Sequence, residues 1–280
     1  MHPEEFDLPV TGGNLRVCRW PGVGPAVIAV HGITANALSF GPLSQTLAGR
    51  VQLVAPDLRG RAGSGKVGGP YGLATHADDI VALLDHLGQP KAVLVGHSMG
   101  GFVAAVAAVR HPTRVAGVLL VDGGVSFASV PQGGDIDAIL EAVIGPALRR
   151  LQMTFPTPES YLDFWRAHPA LRAQWSPWVE AYALRDLDGE RSSCNPEAIR
   201  ADGHDTLVNE LTTTAFRQIA CPASMLWAER GMLDEPAGLY NESTVPASLN
   251  PEKVKGVNHY TILMSERGAS AVAEKLLALL

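Results

Sequence analysis

Val93-Leu94-Val95-Gly96-His97-Ser98-Met99-Gly100-Gly101-Phe102 is the stretch on which the fold turns. Three aliphatic residues run into a glycine, Ser98 follows at G-x-S-x-G spacing, and the segment Phe102–Val109 is apolar all round. The five-residue pattern is short enough to arise by chance, so its setting carries the weight. The run before it reads as a strand, and the segment after it reads as a buried helix that ends before His111-Pro112. A strand that becomes a helix so quickly needs a sharp bend, which Gly96 and Gly100 permit. The hydroxyl of Ser98 then stands at a helix N-terminus, where developing negative charge is favoured.

Outward from this turn the same alternation recurs. Phe6–Val10 and Leu15–Trp20 flank Thr11-Gly12-Gly13-Asn14 and read as a hairpin. Ala26–Val30 stops at His31-Gly32, Val51–Ala55 stops at Pro56-Asp57, and Val115–Val121 stops at Asp122-Gly123-Gly124. Continuous apolar runs of this kind suit strands covered on both faces. Ile80, Leu83, Leu84 and Leu87 recur at helical spacing before Gly88. Further on, Ala223–Trp227 and Lys253–Val257 read as strands and Ala269–Leu280 as a closing helix. Strands alternating with helices predict an α/β fold, a mostly parallel sheet flanked by helices.

Between these halves the character changes. From 126 to 212 strand signals vanish, prolines recur at 131, 146, 156, 158, 169 and 177, and Trp165, Trp175, Trp178 and Tyr182 cluster. This predicts a core of residues 1–125 and 213–280 and a helical cap over 126–212, inserted after the sixth core strand. Trp165, Trp175, Trp178 and Tyr182, with Phe155 and Phe164, are expected to line an apolar substrate pocket or to form the cap's own small core.

Composition narrows the classes. The chain has 280 residues, 46 % hydrophobic and 18 % charged, which suits a globular domain with one insertion. The net charge of −6, without a Lys/Arg run, argues against nucleic acid as a partner. No apolar stretch is long enough to span a bilayer, and Met1-His2-Pro3-Glu4-Glu5 has no secretory apolar core. Cys18, Cys194 and Cys221 fit neither a disulfide framework nor a zinc site. The expectation is a cytoplasmic protein acting on a small molecule, with no cofactor and no metal. A homodimer stays open as the oligomeric state.

A nucleophilic serine needs a base, since its hydroxyl is weak at neutral pH. His259, in Gly256-Val257-Asn258-His259-Tyr260, follows the last short strand and precedes the final helix. It therefore falls on a loop at a strand's carboxyl end, where open α/β sheets place their sites. His168 and His204 compete for the role but lie in the insertion.

With these stretches in hand, the chain resembles the α/β-hydrolase superfamily over nearly its whole length. The matching residues are His31-Gly32-Ile33-Thr34, Pro56-Asp57-Leu58-Arg59-Gly60-Arg61-Ala62-Gly63-Ser64, Gly96-His97-Ser98-Met99-Gly100 and Asn258-His259. The second stretch resembles a family loop normally written D-x-R-G-x-G-x-S, with Ala62 where glycine is common, and is expected to be scaffold.

The resemblance implies a Ser–His–acid triad in that chain order, with backbone N–H groups of Ile33 and Met99 as the oxyanion hole. The acid is the departure. The usual position, just beyond Ala223–Trp227, holds Gly231. Asp122, at the end of Val115–Val121, is the favoured acid and Asp234 the alternative. Some haloalkane dehalogenases and the zearalenone lactonases resemble the Asp122 arrangement. Dehalogenases and epoxide hydrolases of this fold carry aspartate where this chain has Ser98, so carboxylic ester or lactone hydrolysis is the leading expectation. Carbon–carbon bond hydrolysis, hydroxynitrile lysis and a non-catalytic small-molecule receptor are the rivals.

Overall fold

A computed structural model describes residues 2–127 and 135–280. Residues 128–134 of the expected cap, Pro131 among them, lie outside the described residues.

The chain opens with an antiparallel hairpin, β1 (Glu4–Val10) and β2 (Gly13–Trp20). Then come β3 (Ala26–Val30), α1 (Gly41–Leu47), β4 (Gln52–Pro56), α2 (Leu73–His86), β5 (Ala92–His97), α3 (Met99–Arg110) and β6 (Val115–Val121). Four helices follow: α4 (Ile136–Gln152), α5 (Pro158–Arg166), α6 (Pro177–Asp186) and α7 (Pro196–Val208), with a small hairpin of β7 (Leu187–Asp188) and β8 (Arg191–Ser192) before α7. The remainder is α8 (Glu210–Thr214), β9 (Ala223–Ala228), β10 (Glu252–Val254), α9 (Thr261–Met264) and α10 (Glu266–Leu277).

Eight strands form one sheet in the order β1-β2-β4-β3-β5-β6-β9-β10. β2 runs antiparallel to β4, and every pair from β4 to β10 is parallel. Side chains alternate across it with the period of two that a strand imposes. Ile28, Val30, Leu94, Val118, Leu120 and Met225 pack with α2 and α3, while Val27, Ala29, Val93, Val95, Leu119 and Leu226 pack with α1 and α10. Both faces are covered, so the strands read as unbroken apolar runs and not as alternation. The order β4-β3-β5 makes a topological switch beside β3, and the carboxyl ends of β3, β5 and β6 open together there.

The insertion is mostly helical, as its prolines suggest. Pro158, Pro177 and Pro196 each open a helix, where the missing N–H costs nothing, behind Thr157, Ser176 and Asn195 as N-caps. The β7–β8 hairpin corrects the expectation that strands vanish here; its two-residue arms are too short to leave a periodic signal. Among the described residues no helix is long and apolar enough to cross a membrane.

Candidate active site

Ser98 stands between β5 and α3 with φ 55° and ψ −126°, a strained conformation for a residue with a side chain. Close backbone approach maintains it. A Cβ on Gly100 would fall 2.0 Å from the carbonyl oxygen of Val30, and one on Gly123 would fall 2.0 Å from that of Ser98. The turn after β6 is thus pressed directly onto the serine turn.

That same turn presents Asp122. Its backbone is also left-handed (φ 46°), its side chain is fully buried, and Oδ1 accepts a 2.9 Å hydrogen bond from the N–H of Ala228 at the end of β9. Oδ2 lies 2.7 Å from Nδ1 of His259. A carboxylate there requires the imidazole to carry its proton on Nδ1, which leaves Nε2 as the lone-pair nitrogen. No hydrogen bond joins Ser98 to His259 among the described residues. In unliganded enzymes such contacts are often long and tighten only with substrate. Both side chains open into the same cavity.

Asp234 is placed elsewhere. It pairs with Arg230 at 2.7 Å and accepts from Asn258 Nδ2 at 3.0 Å, and these bonds hold its carboxyl below the usual range. Asn258 in turn caps the loop through N–H groups of Tyr260 and Thr261 and donates to the carbonyl of Ala170. Of the two candidate acids, Asp122 bonds the imidazole, while Asp234 braces the residue before it.

His97, the variable position of the G-x-S-x-G motif, supports His259 from behind. Its ring centroid lies 4.7 Å from that of His259, and its Nε2 donates to the His259 carbonyl at 2.8 Å. Burial, with His259 alongside, keeps its proton affinity well below normal, so it stays neutral.

The loop after β3 is pinned at several points. His31 donates from Nδ1 to the carbonyl of Gly32 (2.8 Å) and accepts at Nε2 from the N–H of Leu58 (2.9 Å), and burial holds it neutral with a pKa of about 3. Arg61 donates to the carbonyl of Ile33 at 2.9 Å, and Arg150 on α4 donates to that of Thr34 at 3.4 Å. A Cβ on Gly32 would sit 3.1 Å from Cβ of Ser98, so the loop passes close over the serine. The N–H groups of Ile33 and Met99 donate to no protein acceptor among the described residues. The Arg59 and Arg61 stretch is scaffold, as its reading predicts: Arg59 forms a buried two-point pair with Asp79, and Arg61 pairs with Asp202 on α7. Ala62 has φ 43°, which explains why glycine suits that position.

The cavity holds about 370 Å³ and is lined by Ile33, Phe102, Leu140, Ile144, Tyr182 and Leu207 among others, with no Asp, Glu, Lys or Arg on its wall among the described residues. A second cavity of about 760 Å³ adjoins it and shares Ile144, Met232, Leu239 and Tyr260. Of the aromatic residues expected to line a pocket, Tyr182 lines the first cavity, and Trp165 and Phe164 the second. Trp175 and Trp178 line neither, which corrects that expectation. Trp178 lies over Gly41 and donates to Gln45 on α1 at 3.0 Å, anchoring cap to core. Trp175 is covered by the Arg166 guanidinium, 5.3 Å from its ring centre. Phe155 packs edge-on to Tyr161 and Phe164 in the cap's own core. His168 borders the second cavity and His204 is exposed, so neither approaches the Asp122 carboxylate. Among the described residues no three His, Cys, Asp or Glu side chains gather as a metal site would need.

Comparison with known proteins bears on the family. Residues 25–259 match the family model described as alpha/beta hydrolase fold. A 2-(acetamidomethylene)succinate hydrolase of Mesorhizobium japonicum is 30 % identical over 242 residues, 86 % of this chain and 84 % of that one. The crystal structure of an E-2-(acetamidomethylene)succinate hydrolase superposes with a TM-score of 0.79 at 23 % identity, covering 98 % of this chain and 100 % of that one. A thermophilic esterase from Thermogutta terrifontis superposes with a TM-score of 0.68 at 22 % identity, covering 99 % of each chain. The chain is a hydrolase and belongs to the α/β-hydrolase family.

Proposed function

We propose that the protein hydrolyses an uncharged carboxylic ester or lactone through a Ser98–His259–Asp122 triad. The observation that carries this reading is the 2.7 Å bond between His259 Nδ1 and the buried Asp122, beside a cavity shared by His259 and Ser98. Nε2 of His259 takes the Ser98 proton as Oγ attacks the carbonyl carbon. The N–H groups of Ile33 and Met99 receive the oxyanion, at the start of α3 where the helix dipole also favours it. His259 then protonates the leaving alkoxide, and a water deprotonated by the same nitrogen releases the acid from Ser98.

The cavity wall supports the choice of a neutral substrate, since an unpaired buried charge is costly and no side chain there among the described residues offers a counter-charge. The relative from Mesorhizobium acts on a succinate, which carries two carboxylates, so kinship alone does not transfer its substrate. A fluorophosphonate probe tests the chemistry. Labelling of the native protein that disappears in Ser98→Ala, with kcat on a p-nitrophenyl ester falling by about 10⁴-fold or more, is the expected result. Folded native protein that takes no label and cleaves neither p-nitrophenyl esters nor lactones would instead favour a small-molecule receptor.

A further inference from the structure

The chain has five tyrosines, and their hydroxyls divide into two groups. Tyr71 donates to the carbonyl of Val67 at 3.3 Å, Tyr240 donates to that of Val125 at 2.7 Å, and Tyr161 donates to Asp186. Tyr182 and Tyr260 donate to no protein acceptor among the described residues, and these are the two tyrosines that line the cavity containing Ser98. A third hydroxyl behaves alike. Ser39 is 2 % exposed, lines the same cavity, and its Oγ has no partner among the described residues.

The segments that carry the three are packed together. Ser39 lies on the turn Ala37–Phe40, which packs against α6, the helix that carries Tyr182. Asn36, which caps that turn, donates to the Tyr182 carbonyl at 2.9 Å. The Trp165 ring meets Tyr182 edge-on at 5.7 Å and Tyr260 at 6.3 Å, holding both phenols in place. The rest of the lining includes Phe102, Phe127, Leu140 and Leu207. Ser39 Oγ is buried without a bond among the described residues, and the two phenol hydroxyls are unbonded beside the cavity; unmet hydroxyls at an otherwise apolar cavity mark where a ligand's polar group belongs.

We propose that Tyr182, Tyr260 and Ser39 form a subsite that hydrogen-bonds a neutral oxygen of the substrate, a ketone, hydroxyl or ether, additional to the carbonyl that Ser98 attacks. The proposal rests on the Ser98 hydrolase reading. Burial raises both phenols, that of Tyr182 further through the neighbouring Tyr260, so both remain protonated and able to donate at neutral pH. Arg150, which stacks on Trp165, is already paired with Asp186, so among the described residues a carboxylate finds no free cation here, whereas a neutral acceptor finds two or three O–H donors. A site built on such donors discriminates against an analogue that lacks the oxygen, because the hydroxyls are then left unpaired.

The test compares p-nitrophenyl hexanoate with its 3-, 4- and 5-oxo derivatives. For the native protein at least one oxo ester should show kcat/KM about tenfold or more above hexanoate. Tyr182→Phe and Tyr260→Phe, which keep the rings, should bring that ratio towards one, while Tyr71→Phe leaves it unchanged. Should one Phe variant fail to fold by circular dichroism, the other decides. Hydrolysis of hexanoate with no oxo ester preferred, or a preference that survives in the folded Phe variants, overturns the subsite alone. Absence of both hydrolysis and fluorophosphonate labelling overturns the hydrolase reading, and the subsite with it.

Discussion

His259 has two ring nitrogens, and among the described residues only Nδ1 is bonded, to Asp122. The identity of the group facing Nδ1 therefore sets which nitrogen is free. In Asp122→Asn the amide oxygen would keep the Ala228 N–H and turn its NH₂ towards the ring. Nδ1 must then accept, Nε2 carries the proton, and Ser98 loses its base. With a p-nitrophenyl ester kcat should fall about 10³- to 10⁴-fold. In Asp234→Asn a carbonyl oxygen remains for Asn258, and the Arg230 contact that is lost is partly solvent-exposed. That variant should stay within severalfold of the native rate. Equal losses, or a larger one for Asp234→Asn, would move the acid to position 234. Asp122 could be favoured from sequence because Gly231 vacates the usual position and two glycines follow the β6 aspartate. His97 could not, because x in G-x-S-x-G gives no hint that its ring packs on a histidine 162 residues away.

Among the elements, the loop after β3 depends on groups from two others. Arg61, beyond β4, holds the Ile33 carbonyl and is itself paired with Asp202 of α7, with both side chains sealed from solvent. Asp202 also bonds His76 Nε2 at 2.9 Å and accepts from the N–H of Gly72 at 2.7 Å. One cap carboxylate thus ties α7 to α2 and to the oxyanion loop. Removing its charge leaves Arg61 buried without a counter-ion, so Asp202→Asn should cost roughly 3–5 kcal/mol. Burial alone would raise this carboxyl, but His76 and Arg61 overcome it and hold it well below the usual range. A depressed acid contributes stability above its unfolded pKa, near 3.9, and loses it as pH falls below that value. Urea unfolding should therefore show a wide gap between native and Asp202→Asn protein at pH 7 and 5 that narrows by pH 3. A gap of constant size would mean that the carboxylate charge contributes nothing. No sequence pattern links residues 141 positions apart, so this tie was not legible. The sequence leaves Trp175 and Trp178 open between pocket and cap core for a related reason. Trp178 lies in the short, proline-opened α6 and Trp175 just before it, and in so short a segment the sequence does not say which side meets the core.

For the molecule as a whole, the sheet was legible because covering both faces leaves continuous apolar runs, whereas the cavity's lining is assembled from separated segments. Ile33, Phe102, Leu140, Leu207 and Leu239 come from the β3 loop, α3, α4, α7 and the segment before β10. Their shared character is the absence of charge. The arginines on the adjoining cavity are already engaged, Arg149 with Glu141 at 2.5 Å and Arg150 with Asp186. A lengthening acyl chain should thus gain from burial alone, at about 0.8 kcal/mol per methylene, or roughly fourfold in kcat/KM for each carbon until the space of about 370 Å³ is filled. A p-nitrophenyl hemisuccinate, close in size to the pentanoate, should fall about 100-fold or more below it, because its carboxylate must be buried without a partner. Steady-state kinetics across acetate to dodecanoate, with the hemisuccinate alongside, measure both effects. A hemisuccinate that matches or exceeds the pentanoate would show that a cation reaches the cavity in the working enzyme.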